Sequence, residues 1–319
     1  MIGKYEIEVY NNRVHYYLTV KRNITVIQGN SATGKTELIR LISENNMNGV
    51  SSGITVKCRA RCRVLDTEDW DVRLAAMKGS IVFIDESAGF LKTKKFAEML
   101  HGSDNYYVIV TRDDLSQLPY SVDEIYGLRN VNDSAKYKTY KKVYNEMFKL
   151  YNFDNSERFV PDIVVTEDSN SGFECMNCIY PGKCVAAGGK SRIYKKIRAI
   201  KENKILIIVD GAAFGSEISK VYKYIIGCKE TCVLYAPESF EYLIIKSGII
   251  SAPESITENT FEYADSREYL SWEEFYTAYL IRETENTVYQ YSKAKLREPY
   301  KTVGSLRRVV GVIPEQIRP

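Results

Sequence analysis

Residues 29–36, Gly29-Asn30-Ser31-Ala32-Thr33-Gly34-Lys35-Thr36, fill every fixed position of the phosphate-binding pattern GxxxxGK[ST]. Such a loop works only where a strand delivers it and a helix carries it away, so it dictates the fold around itself. The flanks comply. Ile24 to Ile27 is a short β-branched run that reads as a buried strand, and Glu37 to Ile42 opens a helix with apolar residues at helical spacing. In that setting the backbone N–H groups of residues 29–34 and the helix N-terminus face phosphate oxygens. Lys35 reaches the β- and γ-oxygens, and the Thr36 hydroxyl holds Mg²⁺. The stretch predicts a nucleoside triphosphate site.

A length of 319 residues favours two domains, and a 45% hydrophobic content is that of an ordinary globular protein. The formal net charge of +3 is too small to point to nucleic acid by itself. No segment approaches the ~20 apolar residues of a membrane span, so no membrane association is expected. Met1 to Val9 lacks the apolar run of an export signal, and the seven cysteines are an odd count. Reduced thiols and a cytoplasmic location are the expectation.

The first ~135 residues alternate strand and helix in the manner of a parallel α/β sheet. Extended runs at Ile54 to Cys58 and Cys62 to Leu65 follow the loop and its helix. Next come a helix near Glu68 to Lys78, a strand Ser80 to Asp85, a helix Leu91 to Leu100, and strands Tyr106 to Thr111 and Glu124 to Leu128. Residues 136–160 read as a connector helix and linker, because Tyr137, Tyr140, Tyr144, Met147 and Tyr151 fall on one stripe with lysines mostly elsewhere. That helix either packs on a neighbour or offers a basic aromatic face to nucleic acid. A second, smaller α/β unit covers residues 161–250, and residues 251–319 form a helical region. In it Ser271 and Glu274 make a capping box for a helix running to about Arg282.

Downstream of the loop, Ile81-Val82-Phe83-Ile84-Asp85-Glu86 is a buried strand that ends in two carboxylates. Asp85 then lies near the Mg²⁺ shell and Glu86 is placed to polarise an attacking water. Together these residues resemble the Walker A and Walker B pair of P-loop ATPases of the additional-strand class. In that class a polar residue on a strand between the two Walker strands senses the γ-phosphate. The resemblance gives that role to Thr111, with Arg112 contacting phosphate in the same or a neighbouring subunit, so a homo-oligomer stays open. No signature of ABC transporters and no helical lid typical of AAA proteins is evident. An adjacent Asp-Glu pair also suits hydrolysis better than transfer to an acceptor.

The second unit carries Glu167-Asp168 after its first strand, Gly188-Gly189-Lys190-Ser191 after its second, and Asp210-Gly211-Ala212 after its third. This order resembles the Toprim fold of topoisomerases, primases and OLD-family nucleases. The resemblance implies that Glu167 is a general acid/base and Asp210 a Mg²⁺ ligand, with Asp168 or Glu217 completing the metal site. One departure matters: Ala212 stands where the family has its second aspartate. Gly189-Lys190-Ser191 is not a second phosphate loop, since Cys184 occupies the position of its first glycine. Lys183, Lys190, Arg192, Lys195, Lys196 and Arg198 form a local basic stretch suited either to a nucleic-acid backbone or to solvent.

Cys175 and Cys178 form CxxC, with Cys184 six residues on; zinc would need a fourth ligand from elsewhere in the fold. Cys58/Cys62 and Cys228/Cys232 are CxxxC pairs whose spacing suits one face of a helix. The chain is thus expected to be a Mg²⁺-dependent ATPase joined to a Toprim-like domain, compact in layout like an OLD-type protein, with ATP and DNA or RNA as partners. The alternative is an ATP-driven switch whose second domain has lost its chemistry and docks a partner protein.

Overall fold

The structure, a computed structural model, describes residues 1–29, 34–131, 142–152, 157–201, 203–228 and 230–319. The chain divides into two compact units. The first holds Met1–Leu150 with Phe261–Ser271, and the second holds Tyr151–Thr260 with Trp272–Pro319. The first segment thus runs beyond residue 135, and residues 261–271 of the expected C-terminal region return to it. No helix among the described residues is long and apolar enough to cross a membrane.

The first unit is built on a nine-stranded sheet. Its strands are β1 (Tyr5–Tyr10), β2 (Val14–Val20), β3 (Ile24–Ile27), β4 (Thr55–Lys57), β5 (Arg61–Val64), β6 (Ser80–Ile84), β7 (Asn105–Val110), β8 (Ile125–Asn130) and β9 (Val143–Lys149). They lie in the order β4-β1-β2-β9-β8-β3-β7-β6-β5. From β8 to β5 every pairing is parallel, whereas β1 pairs antiparallel with β2 and β4, and β8 with β9. The sheet is therefore mixed, not parallel throughout. The expected parallel core is present as five strands, and a mixed flank extends it, antiparallel except where β2 pairs parallel with β9.

Strand β9 replaces the second half of the expected connector helix. Residues 132–141 lie outside the described residues, but Val143–Lys149 pairs with β2 on one side and β8 on the other. Two ladders of backbone hydrogen bonds outweigh a local helical stripe of tyrosines, because propensity is a weak prior beside tertiary pairing.

Helix α1 (Lys35–Asn48) follows the loop, and α2 (Trp70–Ala76) and α3 (Lys94–Leu100) complete the unit. Leu38, Leu41 and Ile42 of α1 are fully buried, each worth ~1.5–3 kcal/mol against exposure. They share one core with Ile7, Val9, Leu18, Cys62, Ile81, Phe83 and Val108. Nine strands laid flat would span about 38 Å. Yet β4 and β5, its two edges, are joined by residues 58–60 alone, a reach of about 14 Å at most. The sheet must curl, and α1 packs against strands of both edges.

The second unit has a four-stranded parallel sheet, β10 (Ile163–Thr166), β11 (Cys184–Ala186), β12 (Ile205–Ile208) and β13 (Cys232–Tyr235), in the order β11-β10-β12-β13. Its helices are α4 (Ser171–Ile179), α5 (Ile193–Ala199), α6 (Gly215–Gly227), α7 (Phe240–Lys246), α8 (Ser255–Glu258), α9 (Trp272–Thr284), α10 (Glu298–Lys301) and α11 (Val303–Val312). Leu206, Ile207, Val164 and Val165 are wholly enclosed, as strands covered on both faces require.

Candidate functional site

Strand order positions the first site. β3, which delivers the loop, and β6, which ends at Asp85-Glu86, are separated by β7. Register aligns their carboxyl ends: Ile27 lies opposite Val110, and Ile84 opposite Ile109. Gly29, Asp85 and Thr111 therefore emerge along one edge, where open α/β sheets bind ligands.

Asn30, Ser31, Ala32 and Thr33 lie outside the described residues. Gly29 and Gly34 bracket them, each in backbone space that glycine favours, with φ 141° and 82°. The Tyr16 hydroxyl donates to the Gly34 carbonyl oxygen at 2.9 Å, and a Cβ at Gly34 would sit 2.7 Å from that hydroxyl. Among the described residues no side-chain hydrogen bond caps the N-terminus of α1, which leaves its first N–H groups facing the loop as anion donors. Lys35 is buried, and its Nζ donates to the Gly29 carbonyl oxygen at 2.8 Å. Burial lowers its pKa, the Arg112 charge adds to that, and the Glu86 carboxylate opposes it. Lys35, Arg112 and Glu86 thus share one electrostatic neighbourhood.

Arg112 Nε meets Glu86 Oε2 at 3.1 Å. Asp85 is partly exposed and accepts the Ser87 N–H at 3.1 Å. Thr111 is buried, and its hydroxyl accepts the Asp113 N–H at 3.0 Å, which closes the turn after β7. Thr36 is exposed in the first turn of α1. Its hydroxyl and the Asp85 carboxylate are hard oxygen donors suited to Mg²⁺, which takes only one or two protein ligands and fills the rest with phosphate and water.

In the second unit, loops after three strands tie together. Glu167 Oε1 accepts the Asp210 N–H at 3.0 Å, the Glu167 carbonyl accepts the Gly189 N–H at 2.6 Å, and Lys190 Nζ donates to the Ala213 carbonyl at 3.0 Å. Asp210 Oδ1 accepts the Phe240 N–H at the start of α7, at 3.0 Å. Glu167, Asp168, Asp210, Glu241 and Lys293 line a small pocket of about 50 Å³. Burial pushes the Glu167 pKa up to about 7. Burial, then the charges of Glu273, Glu167 and Glu241, hold Asp210 well above the usual carboxylate range.

Sequence reading missed three members of this group. Glu241 is 1% exposed; its Oε1 accepts from the Tyr291 hydroxyl at 2.8 Å, while Oε2 is enclosed with no hydrogen-bond donor among the described residues. Lys293 Nζ bonds Glu273 Oε1 at 2.5 Å. Burial disfavours the Lys293 ammonium, but Glu273, Glu241 and Asp210 outweigh it and hold its pKa above the ordinary lysine value. Glu241 was within reach of the sequence, because it opens the helix after the fourth strand on the same edge as Glu167 and Asp210. Lys293 carries no local signal.

Of the other expected members, only Asp168 reaches the pocket lining. Asp168 takes the Asn170 N–H at 3.0 Å and its side-chain amide at 2.7 Å. Glu217 lies in the first turn of α6 and is not part of the pocket lining. Ala212 is 1% exposed, and its N–H donates to the Glu238 carbonyl oxygen, so the missing carboxylate has no open place to project. Among the described residues no group of three or more His, Cys, Asp and Glu side chains comes together to hold a metal ion. With an ammonium already fixed among the acids, the Glu167–Asp210 group does not fit a divalent ion.

All seven cysteines are free thiols. Cys175 and Cys178 lie on α4 and Cys184 on β11, and they gather no zinc ligand set among the described residues. Neither CxxxC pair sits on one helical face: Cys62 is in β5 and Cys232 in β13. Of the basic stretch, Lys183 and Lys190 bind the unit's own backbone carbonyls, whereas Arg192, Lys195 and Arg198 are exposed.

No protein-family model matches this sequence, and no curated protein or solved structure matches the chain.

Proposed function

We propose that the first unit binds and hydrolyses ATP with Mg²⁺, as an ATPase of the additional-strand P-loop class. The observation that carries this is the insertion of β7 between β3 and β6, with Lys35, Glu86 and Arg112 in one electrostatic field at their carboxyl ends. Lys35 and the α1 N-terminus hold the phosphates. Thr36 and Asp85 would hold Mg²⁺, which neutralises charge on the phosphate oxygens when bound. Glu86 orients and polarises the attacking water, Thr111 marks the γ-phosphate position, and Arg112 adds positive charge there.

For the second unit, action on nucleic acid is supported by Glu167 and Asp210 at the carboxyl ends of parallel strands and by the exposed Arg192, Lys195 and Arg198. A specific observation favours the alternative. Lys293 lies within the field of Asp210, Glu241 and Glu273, where nuclease chemistry would want a metal's charge, and Ala212 is packed away. We therefore read the second unit as a Toprim-like fold retained as a docking surface, moved by ATP turnover in the first.

The test is an ATPase assay of wild type, Lys35→Ala and Glu86→Gln, beside a Mg²⁺/Mn²⁺ nuclease assay with ATP on plasmid, linear DNA and RNA. Loss of nucleotide binding in Lys35→Ala, slowed turnover in Glu86→Gln and no cleavage by any form is the expected result. Cleavage abolished by Glu167→Ala would restore the nuclease reading, and hydrolysis undiminished in Glu86→Gln would overturn the role of Glu86.

A further inference from the structure

Cys58 and Cys62 lie at the seam where the curled sheet brings its two edges together. Cys58 follows β4, the edge strand bound to β1, and Cys62 lies in β5, the opposite edge. Only residues 59–61 separate them, both line one cleft, and Cys58 packs against the core cluster that holds Cys62. The Ala60 N–H also donates to Cys58 Sγ, at 3.4 Å. The seam is anchored on both sides. Arg59 Nη2 donates to the Lys4 carbonyl beside β1 at 2.7 Å, while Asn46 of α1 donates to the Cys62 carbonyl at 3.0 Å.

Chemistry and access are asymmetric. Cys62 is 7% exposed, whereas Cys58 is half-buried, and both line a cleft of about 640 Å³ with Arg61, Arg63 and Arg73. The neighbouring Cys62 side chain, helped by the N–H groups of Ala60 and Arg59 and by the Arg59 charge, lowers the Cys58 pKa to about 7 despite partial burial. Thiolate character and exposure select the attacking sulfur, and a buried neighbour on the same cleft is the resolving one.

We propose that Cys58 and Cys62 form a dithiol–disulfide modification site, closed by a hydroperoxide and reopened by a small-molecule thiol. The Cys58 thiolate attacks one oxygen of the hydroperoxide, forming an S–O bond as the O–O bond breaks; the departing alkoxide takes a proton and leaves as alcohol. The Cys62 sulfur then attacks Cys58. An S–S bond forms, the S–O bond breaks, and hydroxide leaves as water with the Cys62 proton. Two thiols and one hydroperoxide thus become one disulfide, one alcohol and one water. Two successive thiol exchanges reverse it, the reductant leaving as its own disulfide. The product would staple one edge of the sheet to the other beside the helix that leaves the phosphate loop.

The experiment treats the full chain with a few equivalents of hydrogen peroxide, blocks remaining thiols with a maleimide, and maps an unreduced digest by mass spectrometry. The expected result is a Cys58–Cys62 linkage with loss of two alkylatable thiols, both recovered with dithiothreitol. In Cys62→Ser the reaction stops at a sulfenic acid on Cys58, trapped by dimedone. In Cys58→Ser, Cys62 stays reduced. The wild-type linkage needs no variant to fold. The proposal is overturned if both thiols remain alkylatable at a dose that oxidises the exposed Cys178, or if Cys58 links to another cysteine or is over-oxidised unlinked.

Discussion

Arg112 Nε lies 3.1 Å from Glu86 Oε2, so the guanidinium at the end of β7 holds the carboxylate at the end of β6. Both side chains are substantially exposed, at 53% and 34%, and such a pair contributes ~0–1 kcal/mol to stability. Its consequence is orientation. Glu86→Gln should keep nucleotide affinity and lower kcat ~10²–10⁴-fold, the usual range for removing a positioned base. Arg112→Ala should leave the melting temperature nearly unchanged while lowering kcat, since it removes both a charge near Lys35 and the support of Glu86. Steady-state kinetics with thermal melts separate these outcomes. A drop in melting temperature with unchanged kcat would make the pair structural.

Gly34 tests the phosphate loop without touching Lys35. Its φ of 82° is unfavourable for any side chain, and a Cβ would press on the Tyr16 hydroxyl at 2.7 Å. The left-handed conformation alone costs roughly 1–2 kcal/mol. Gly34→Ala should lower stability by at least that and abolish nucleotide binding by displacing the loop. Adding Tyr16→Phe removes the clash but not the backbone strain, so the double variant should recover stability only in part. Calorimetric melting with nucleotide titration reads both effects.

Lys293 is the counter-charge of the second unit's acidic group, and Glu241 is its least satisfied acid. Lys293→Met removes the cation that Glu273, Glu241 and Asp210 face and should lower the melting temperature of the second unit. Glu241→Gln keeps an acceptor for the Tyr291 hydroxyl and removes one negative charge, so it should raise stability alone and offset much of the Lys293→Met loss when combined. Strictly additive effects in this cycle would show that the two charges do not interact. Stabilisation of Lys293→Met by Mn²⁺, absent in wild type, would mark the ammonium as the stand-in for a metal.

The residues around β3, β6 and β7 were legible because the loop pattern fixes residue type and spacing together: Gly29, Asp85 and Thr111 follow strand ends and Lys35 opens α1, where local patterns can find them. The mixed flank was not. β1 and β2 lie before the motif, and β9 carries a burial order, exposed-buried-buried followed by half-buried residues, with no clean alternation. Its Tyr144 and Met147 fall on a helical stripe in the sequence, and only pairing with β2 and β8 makes it a strand. The acidic group of the second unit was half legible. Glu167 and Asp210 follow strands 43 residues apart, whereas Glu273 and Lys293 arrive from segments that no motif connects to them.

Glu167 gives the second unit a pH signature. Burial raises its pKa from 4.5 to about 7 in the folded chain. A carboxyl raised in this way stays protonated when folded while the unfolded chain releases its proton. Its contribution to stability is therefore complete below about pH 4.5, shrinks as pH rises, and is gone above about pH 7. Asp210 is raised for the same first reason and pushes in the same direction. Melting temperatures from pH 4.5 to 7 should fall for wild type and fall less steeply for Glu167→Gln, which carries no titrating proton at that position. The Asp210 N–H bond to Oε1 can persist in the amide, so the change in slope isolates charge from geometry. Equal slopes in the two proteins would mean that Glu167 is solvated and ionised throughout, and that the pocket does not desolvate it.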